Sequence, residues 1–200
     1  ILVYDSASST FSLYNSFSKV YNEKLEDPIT DATFAEDGSF AVATRQADMK
    51  TVIYFYNKNR KESGYASQSD YVFDMALSST EHKLATIAYD VGSGTGQTII
   101  KVRDTKNKNF QPLQKIIADE FPLSCAYIGG GRLAVVTNGA IRIFDRDMKQ
   151  IKSESFYEAG ITAFNVSENG AIAVVSSGSV RTVCAFNSSG DLVYNKQIGE

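Results

Sequence analysis

The sequence predicts an all-β chain assembled from repeated four-stranded antiparallel units, and three observations lead there. No helical period runs through any segment; apolar residues recur at every second position, which puts them on one face of a strand. An alternating apolar run that stops at Asn or Asp occurs five times. The intervals between those stops are 42, 47, 41 and 42 residues, the length of four short strands with their turns.

The five runs end at Asn15, Asn57, Asp104, Asp145 and Asn187. In each, the residues four and two before the stop are apolar: Phe11/Leu13, Ile53/Phe55, Ile100/Val102, Ile141/Ile143 and Val183/Ala185. The Asn or Asp suits the turn that follows, because its side chain can hydrogen-bond the local backbone. Tyr14, Tyr56, Phe144 and Phe186 precede the stop and face the other way, toward a neighbouring unit; Arg103 is the exception. Upstream of each run after the first lies a buried strand, at 40–43, 84–88, 133–136 and 172–175. Asp37-Gly38, Gly129-Gly130-Gly131 and Asn169-Gly170 introduce three of these with hairpin chemistry. The second repeat has 78–82 there, a longer turn. A further strand precedes those turns, at 29–35, 71–78, 123–128 and 161–166. A polar fourth strand follows the stops, near 61–68, 111–118, 150–157 and 191–198.

Four strands in 40–45 residues is the size of a β-propeller blade. A β-sandwich also has regular short strands, but it requires no repeated ending in fixed register. The strands then run inner, second, third, outer, with blades at 1–27, 28–70, 71–120, 121–158 and 159–200. Ile1 aligns with Phe40, Leu84, Leu133 and Ile172, so the first blade lacks its inner strand and the count is 19 strands. The expectation is part of a larger ring of seven or eight blades; a closed ring of five with a short first blade is the alternative. The start at Ile1, inside an apolar run, is what a processed product or an excised piece would have.

This layout resembles the WD40-like and quinoprotein-like propellers, without the WD40 signature: the chain has no Trp and no Gly-His pair. Ile1-Leu-Val-Tyr-Asp5, Phe11 to Tyr21, Asp27-Pro-Ile-Thr-Asp-Ala32 and Asp37-Gly-Ser-Phe-Ala-Val42 are similar to a narrower family. It is a domain-of-unknown-function family of propellers from clostridia and related Firmicutes. The resemblance implies a membrane anchor outside this chain and a propeller on the extracellular face of the membrane of a Gram-positive bacterium. It supplies no catalytic residues to carry over.

Composition narrows the chemistry. Twenty basic against 23 acidic residues give a net charge of −3, with no electrostatic case for nucleic acid or an anionic membrane as partner. No aliphatic run approaches the roughly 20 residues of a membrane span. Two cysteines and one histidine leave little room for zinc, disulfide or histidine chemistry. His82 sits in a turn, and Cys125 and Cys184 fall on strands of adjacent blades as small core residues. The outer-to-inner loops repeat an acidic residue: Glu26/Asp27, Asp70, Asp119/Glu120, Glu158 and Glu200. Such a set would ring a channel mouth and suit calcium, or be merely solvated. Asp31 and Asp74 hold matching places on inner strands, as channel carboxylates or as structural hydrogen-bond acceptors. The glycine-rich stretch 89–98 has no P-loop lysine and no following helix, and reads as a long hairpin or a binding loop.

No nucleophile–base set or cofactor fingerprint is present, so no cofactor beyond a calcium ion is expected. The leading expectation is a non-catalytic scaffold that offers the face formed by 44–51, 89–98, 137–139, 176–180 and the acidic loops to a protein, peptide or cell-surface ligand. The alternative is a propeller hydrolase or lyase that uses Asp31 and Asp74, with or without a divalent cation; fold analogy carries it.

Overall fold

The alternating pattern becomes 19 strands in five antiparallel sheets in the computed structural model, which describes every residue except 6–7, 48–49, 93, 108–110, 157–158, 178 and 199–200. The first sheet holds β1 (Leu2–Tyr4), β2 (Thr10–Tyr14) and β3 (Lys19–Lys24). The second holds β4 (Ile29–Phe34), β5 (Phe40–Thr44), β6 (Thr51–Tyr56) and β7 (Glu62–Gln68). The third comprises β8 (Val72–Ser78), β9 (Lys83–Asp90), β10 (Gln97–Asp104) and β11 (Leu113–Ala118). The fourth comprises β12 (Pro122–Ile128), β13 (Arg132–Thr137), β14 (Ala140–Phe144) and β15 (Gln150–Ser155). The last has β16 (Gly160–Ser167), β17 (Gly170–Ser177), β18 (Val180–Asn187) and β19 (Leu192–Ile198). Within each sheet the strands lie side by side in chain order, which is the up-and-down meander of a propeller blade. Two compact units divide the chain, Ile1–Val72 and Phe73–Glu200.

The recurring Asn/Asp is a turn device in all five sheets. Asn15 Oδ1 accepts from the amides of Phe17 and Ser18, and Asn57 Oδ1 from those of Asn59 and Lys61. Asp104 does the same for Lys106 and Asn107, Asp145 for Asp147 and Lys149, and Asn187 for Ser189 and Asp191. In the second, fourth and fifth sheets the fourth turn residue has positive φ: Arg60 at 63°, Met148 at 61° and Gly190 at 77°. A one-residue register shift follows, opposite Tyr56, Phe144 and Phe186, and opposite Tyr14 in the first sheet. This is a type I turn closed by a bulge, and it fixes which face the outer strand presents.

One of these turns predicts an acid response. Hydrogen bonds from the Asn107 and Lys106 amides hold the Asp104 carboxyl below its ordinary 3.8. A carboxyl depressed in the folded state contributes stability that is complete above its unfolded value and is lost as pH falls through the folded value. Asp104→Asn, the residue three other repeats use, is therefore expected to keep the turn and soften the loss of thermal stability below pH 3.8. Superimposable acid limbs for the two proteins would contradict this.

Packing between sheets follows one rule within each unit. Residues four and two before the Asn/Asp face the next sheet, and the residue just before it faces the previous one. In the first unit Phe11 and Leu13 meet Phe40, Val42 and Tyr56. The Phe11 ring centroid lies 5.7 Å from Phe40 and 5.5 Å from Tyr56, while Phe40 and Tyr56 stack at 4.6 Å. In the second unit Ile100 and Val102 pack with Leu133, Val135 and Phe144. Ile141 and Ile143, with Ala134 and Val136, pack against Ala171, Ala173, Cys184 and Phe186. Each such aliphatic or aromatic side chain contributes roughly 1.5–3 kcal/mol by burial. Cys125 and Cys184 form no disulfide and are buried members of these layers. Tyr14 departs from the expectation for its position and is partly exposed.

The last sheet repeats the rule on a face that nothing among the described residues covers. Ile172 pairs with Ala185 across β17 and β18, and Val174 with Val183. The same register in the fourth sheet holds Ala134 with Ile143 and Val136 with Ile141, all at 0% exposure. Ile172 is 40% exposed. The small–large pair Ala134–Ile143 has become the large–small pair Ile172–Ala185 with its volume kept, which is interface chemistry on an open surface.

Candidate functional site

Inner strands carry their own bulge, and it aims a polar position. The register skips one residue between Ile29 and Asp31, between Pro122 and Ser124, and between Ile161 and Ala163. Asp31, Ser124 and Ala163 are therefore equivalent, and Asp74 holds that place in the third sheet by sequence. Asp31 Oδ1 accepts from the Ala32 amide at 2.8 Å, and Asp74 Oδ1 from the Met75 amide at 2.8 Å. Asp74 Oδ2 also accepts from Ser124 Oγ at 2.7 Å and from the Cys125 amide at 2.8 Å. The carboxylate ties one inner strand to the next. Charged hydrogen bonds of this kind contribute about 1.5–3 kcal/mol each. Asp74→Ala is expected to destabilise the second unit by about 2 kcal/mol, with Asp74→Asn losing less; denaturant midpoints that coincide with the parent would sink that assignment.

Glu120 is the most enclosed of the described acidic loop residues, at 2% exposure. Its carboxylate meets the Arg142 guanidinium side-on, with Nη1 2.5 Å from Oε2 and Nη2 2.6 Å from Oε1. Thr137 Oγ1 also donates to Oε2. Thr98 Oγ1 donates to the Glu120 carbonyl at 2.7 Å, as Thr51 Oγ1 does to the Asp70 carbonyl at 2.8 Å in the first unit. A third-strand threonine pins the outer-to-inner loop in both cases. The two charges of the Glu120–Arg142 pair cancel locally, and the bidentate geometry is the strong form of such a contact.

Beside this pair opens a cavity of about 510 Å³, within the ~300–1,000 Å³ range of ligand pockets. Asp119, Glu120 and Asn138 supply its polar wall, and Leu123, Ile161 and the backbone of Gly160 its apolar one. Asp119 has φ of 58°, a conformation that Asp tolerates better than most residues. Its amide donates to the Gly96 carbonyl at 2.9 Å. A Cβ at Gly96 would sit 1.7 Å from the Tyr89 hydroxyl, so any larger residue there has to push the Tyr89 ring aside. The glycine-rich stretch is thus a support for the neighbouring loop. Next to the cavity, the Phe121 amide donates to Asn138 Oδ1 at 2.8 Å. The Phe121 ring meets Phe73 at 4.7 Å and Tyr89 at 4.9 Å, both edge to face. Phe73 is 49% exposed.

A second cavity of about 480 Å³ lies between the outer parts of the fourth and fifth sheets, floored by Phe156, Val175 and Cys184. At its mouth Asn195 Nδ2 donates to Glu154 Oε1 at 2.8 Å. Burial raises the Cys184 thiol above its ordinary value, so it is a poor nucleophile.

The acidic positions read from the sequence thus have different roles. Glu120 and Asp74 join sheets in the second unit. In the first unit Asp31 repeats the Asp74 turn and Asp70 lends its carbonyl to Thr51. Asp27 lies near Tyr54, whose hydroxyl is pushed up by burial first and by Asp27 next. Glu158 and Glu200 lie outside the described residues, as do parts of the stretches 44–51, 89–98 and 176–180. Among the described residues no three His, Cys, Asp or Glu side chains gather as metal ligands, and no helix is long and apolar enough to cross a membrane. His82 has φ of 51°, and its Nε2 lies 2.8 Å from Lys106 Nζ. Arg142 and the Phe73–Phe121–Tyr89 cluster escaped the sequence reading. The signal for Arg142 was a guanidinium in the middle of Ala140-Ile-Arg-Ile-Phe144, otherwise wholly apolar.

Consecutive antiparallel meanders, four of them four-stranded, with their shared turn and the inter-sheet layers, define a β-propeller fold. The chain belongs to DUF5711, a family of unknown function whose family model matches residues 1–200. Among solved structures it is similar to BamB from Moraxella catarrhalis, with 14% identity, a TM-score of 0.63, and coverage of 98% of this chain and 61% of that one. It is likewise similar to BBS1N in complex with ARL6DN, at 15% identity and TM-score 0.65, covering 98% and 63%. A third is hydrazine synthase of Kuenenia stuttgartiensis, at 18% and 0.58, covering 94% and 53%. Identities this low speak for the fold alone. The chain spans between about half and two thirds of the length of these structures. Comparison with curated proteins gives no match.

Proposed function

We propose that this propeller is a non-catalytic scaffold that binds a protein or peptide partner on its loop face, at the outer surface of a cell membrane to which an anchor outside this chain holds it. The observation that carries the reading is the exposed Phe73 ring, braced edge-on by Phe121 beside an open cavity. Aromatic side chains supported from below and half open to solvent are what interface anchors consist of. Two further features favour binding over hydrolysis. Asp74, the better placed of the two inner-strand carboxylates, is occupied by three hydrogen bonds. One structural neighbour, BBS1N, is itself a complex with another protein, ARL6DN.

The test is affinity capture from membrane extracts with the parent, with Phe73→Ser, and with the 89–98 loop shortened. Phe73 is exposed, so its replacement leaves the core intact. A partner recovered by the parent and lost by Phe73→Ser supports the reading. An unchanged set of captured proteins with both variants removes the loop face from consideration.

A further inference from the structure

We infer that the cavity of about 510 Å³ beside Glu120 receives a cationic side chain, lysine or arginine, from the partner peptide; this rests on the loop-face reading and gives it a ligand chemistry. The cavity has two unlike walls. Leu123 and Ile161 offer an apolar surface, and Asp119 and Asn138 offer oxygen acceptors at its edge. An aliphatic stem ending in a cation matches that division: the methylenes lie on the apolar wall while the charged head reaches the acceptors.

The electrostatics select the sign. Glu120 also lines the cavity, but its charge is cancelled by Arg142 at 2.5 and 2.6 Å. Asp119 is then the one net charge among the described lining residues. Its carboxylate makes no hydrogen bond or ion pair among the described residues; its backbone amide does, and fixes it in place through Gly96. A single carboxylate with one amide oxygen falls far short of the six to eight oxygens that calcium takes, whereas one carboxylate satisfies one ammonium or guanidinium. The other cavity differs in that the carboxylate at its mouth, Glu154, keeps its charge but has one oxygen taken by the Asn195 amide.

Gly160 makes the idea testable without harming the fold. A Cβ there meets nothing within 4 Å, and its φ is not in the left-handed region, so Gly160→Phe fills the cavity from its rim. The probes are N-acetyl-lysine methylamide and its uncharged analogue N-acetyl-norleucine methylamide, titrated to high millimolar against the protein labelled at backbone amides and Ile/Leu methyls. The expected result is saturable shifts at Gly139, Gly160, Leu123 and Ile161, with the lysine probe binding about tenfold more tightly than norleucine. Asp119→Asn should abolish that preference, and Gly160→Phe should abolish binding of both. Equal affinity for the two probes, a preference that survives Asp119→Asn, or shifts confined elsewhere would overturn the inference. The capture experiment separates the two claims. A partner lost with Gly160→Phe but retained with Asp119→Asn preserves the loop-face reading and discards the cationic ligand; one retained with Phe73→Ser as well discards the loop face.

Discussion

Arg142→Met is expected to cost the second unit about 3–5 kcal/mol. The guanidinium is 8% exposed and the Glu120 carboxylate 2%. Removing the cation leaves a buried anion with the Thr137 hydroxyl still donating to it but no charge to balance it there, and an uncompensated charge out of water is among the most costly things a fold can hold. The loss is not the worth of the pair. Glu120→Leu/Arg142→Met should recover most of it, because two well-packed apolar side chains avoid the desolvation that the pair itself incurred. Urea denaturation of the four proteins in the cycle measures both quantities, with an unchanged m value as the check that the same surface unfolds. A double variant as unstable as Arg142→Met would mean that the pair holds the 119–121 loop by geometry, not charge. In that case Asp119 would also lose its place, since it precedes Glu120 in the same short loop.

Much of this architecture was legible because propeller blades repeat, and a repeat amplifies weak signals. One Asn after an apolar run says little; five at nearly constant spacing fix a register. From that register follow the four strands, the face most side chains take and a first sheet of three strands among the described residues. It slips by one in the last sheet, where Ala171 and not Ile172 takes the place of Leu133, pairing with the residue before the stop. The Asn/Asp turns read as turns because their chemistry is local: acceptor and donors lie within four residues. Asp74 was legible as a position and ambiguous as a role, because its second oxygen bonds Ser124 and Cys125, some fifty residues on. The same holds for Glu120. As a loop carboxylate it looks like a surface charge, and only the fold brings Arg142 under it. Phe73 and Phe121 failed to stand out for the opposite reason: single aromatics at strand starts are ordinary, and their meeting is a property of adjacent inner strands. The contacts that join one sheet to the next are those that no single repeat encodes.

That distinction gives a second large prediction, from two residues that the sequence treats alike. Ile141 and Val183 occupy the same register four residues before the Asp/Asn, in the fourth and fifth sheets. Ile141→Ala is expected to cost about 3–4 kcal/mol, since Ile141 is fully buried against the fifth sheet and the cavity it leaves cannot collapse between two stiff sheets. Val183→Ala should cost under about 1 kcal/mol, because Val183 is only half-buried on a face that no sheet covers among the described residues. A different property should change at the open face. The row of Ile172, Val174 and Val183 is an apolar strip built to meet another sheet, so the 200-residue chain is expected to self-associate as its concentration rises. Ile172→Lys should suppress that association and leave the denaturation midpoint within about 0.5 kcal/mol of the parent. The paired measurements, sedimentation for association and urea for stability, separate interface from core. If Val183→Ala destabilises as much as Ile141→Ala, the far face of the last sheet is packed in solution, and the repeat rule extends one layer further than the five sheets.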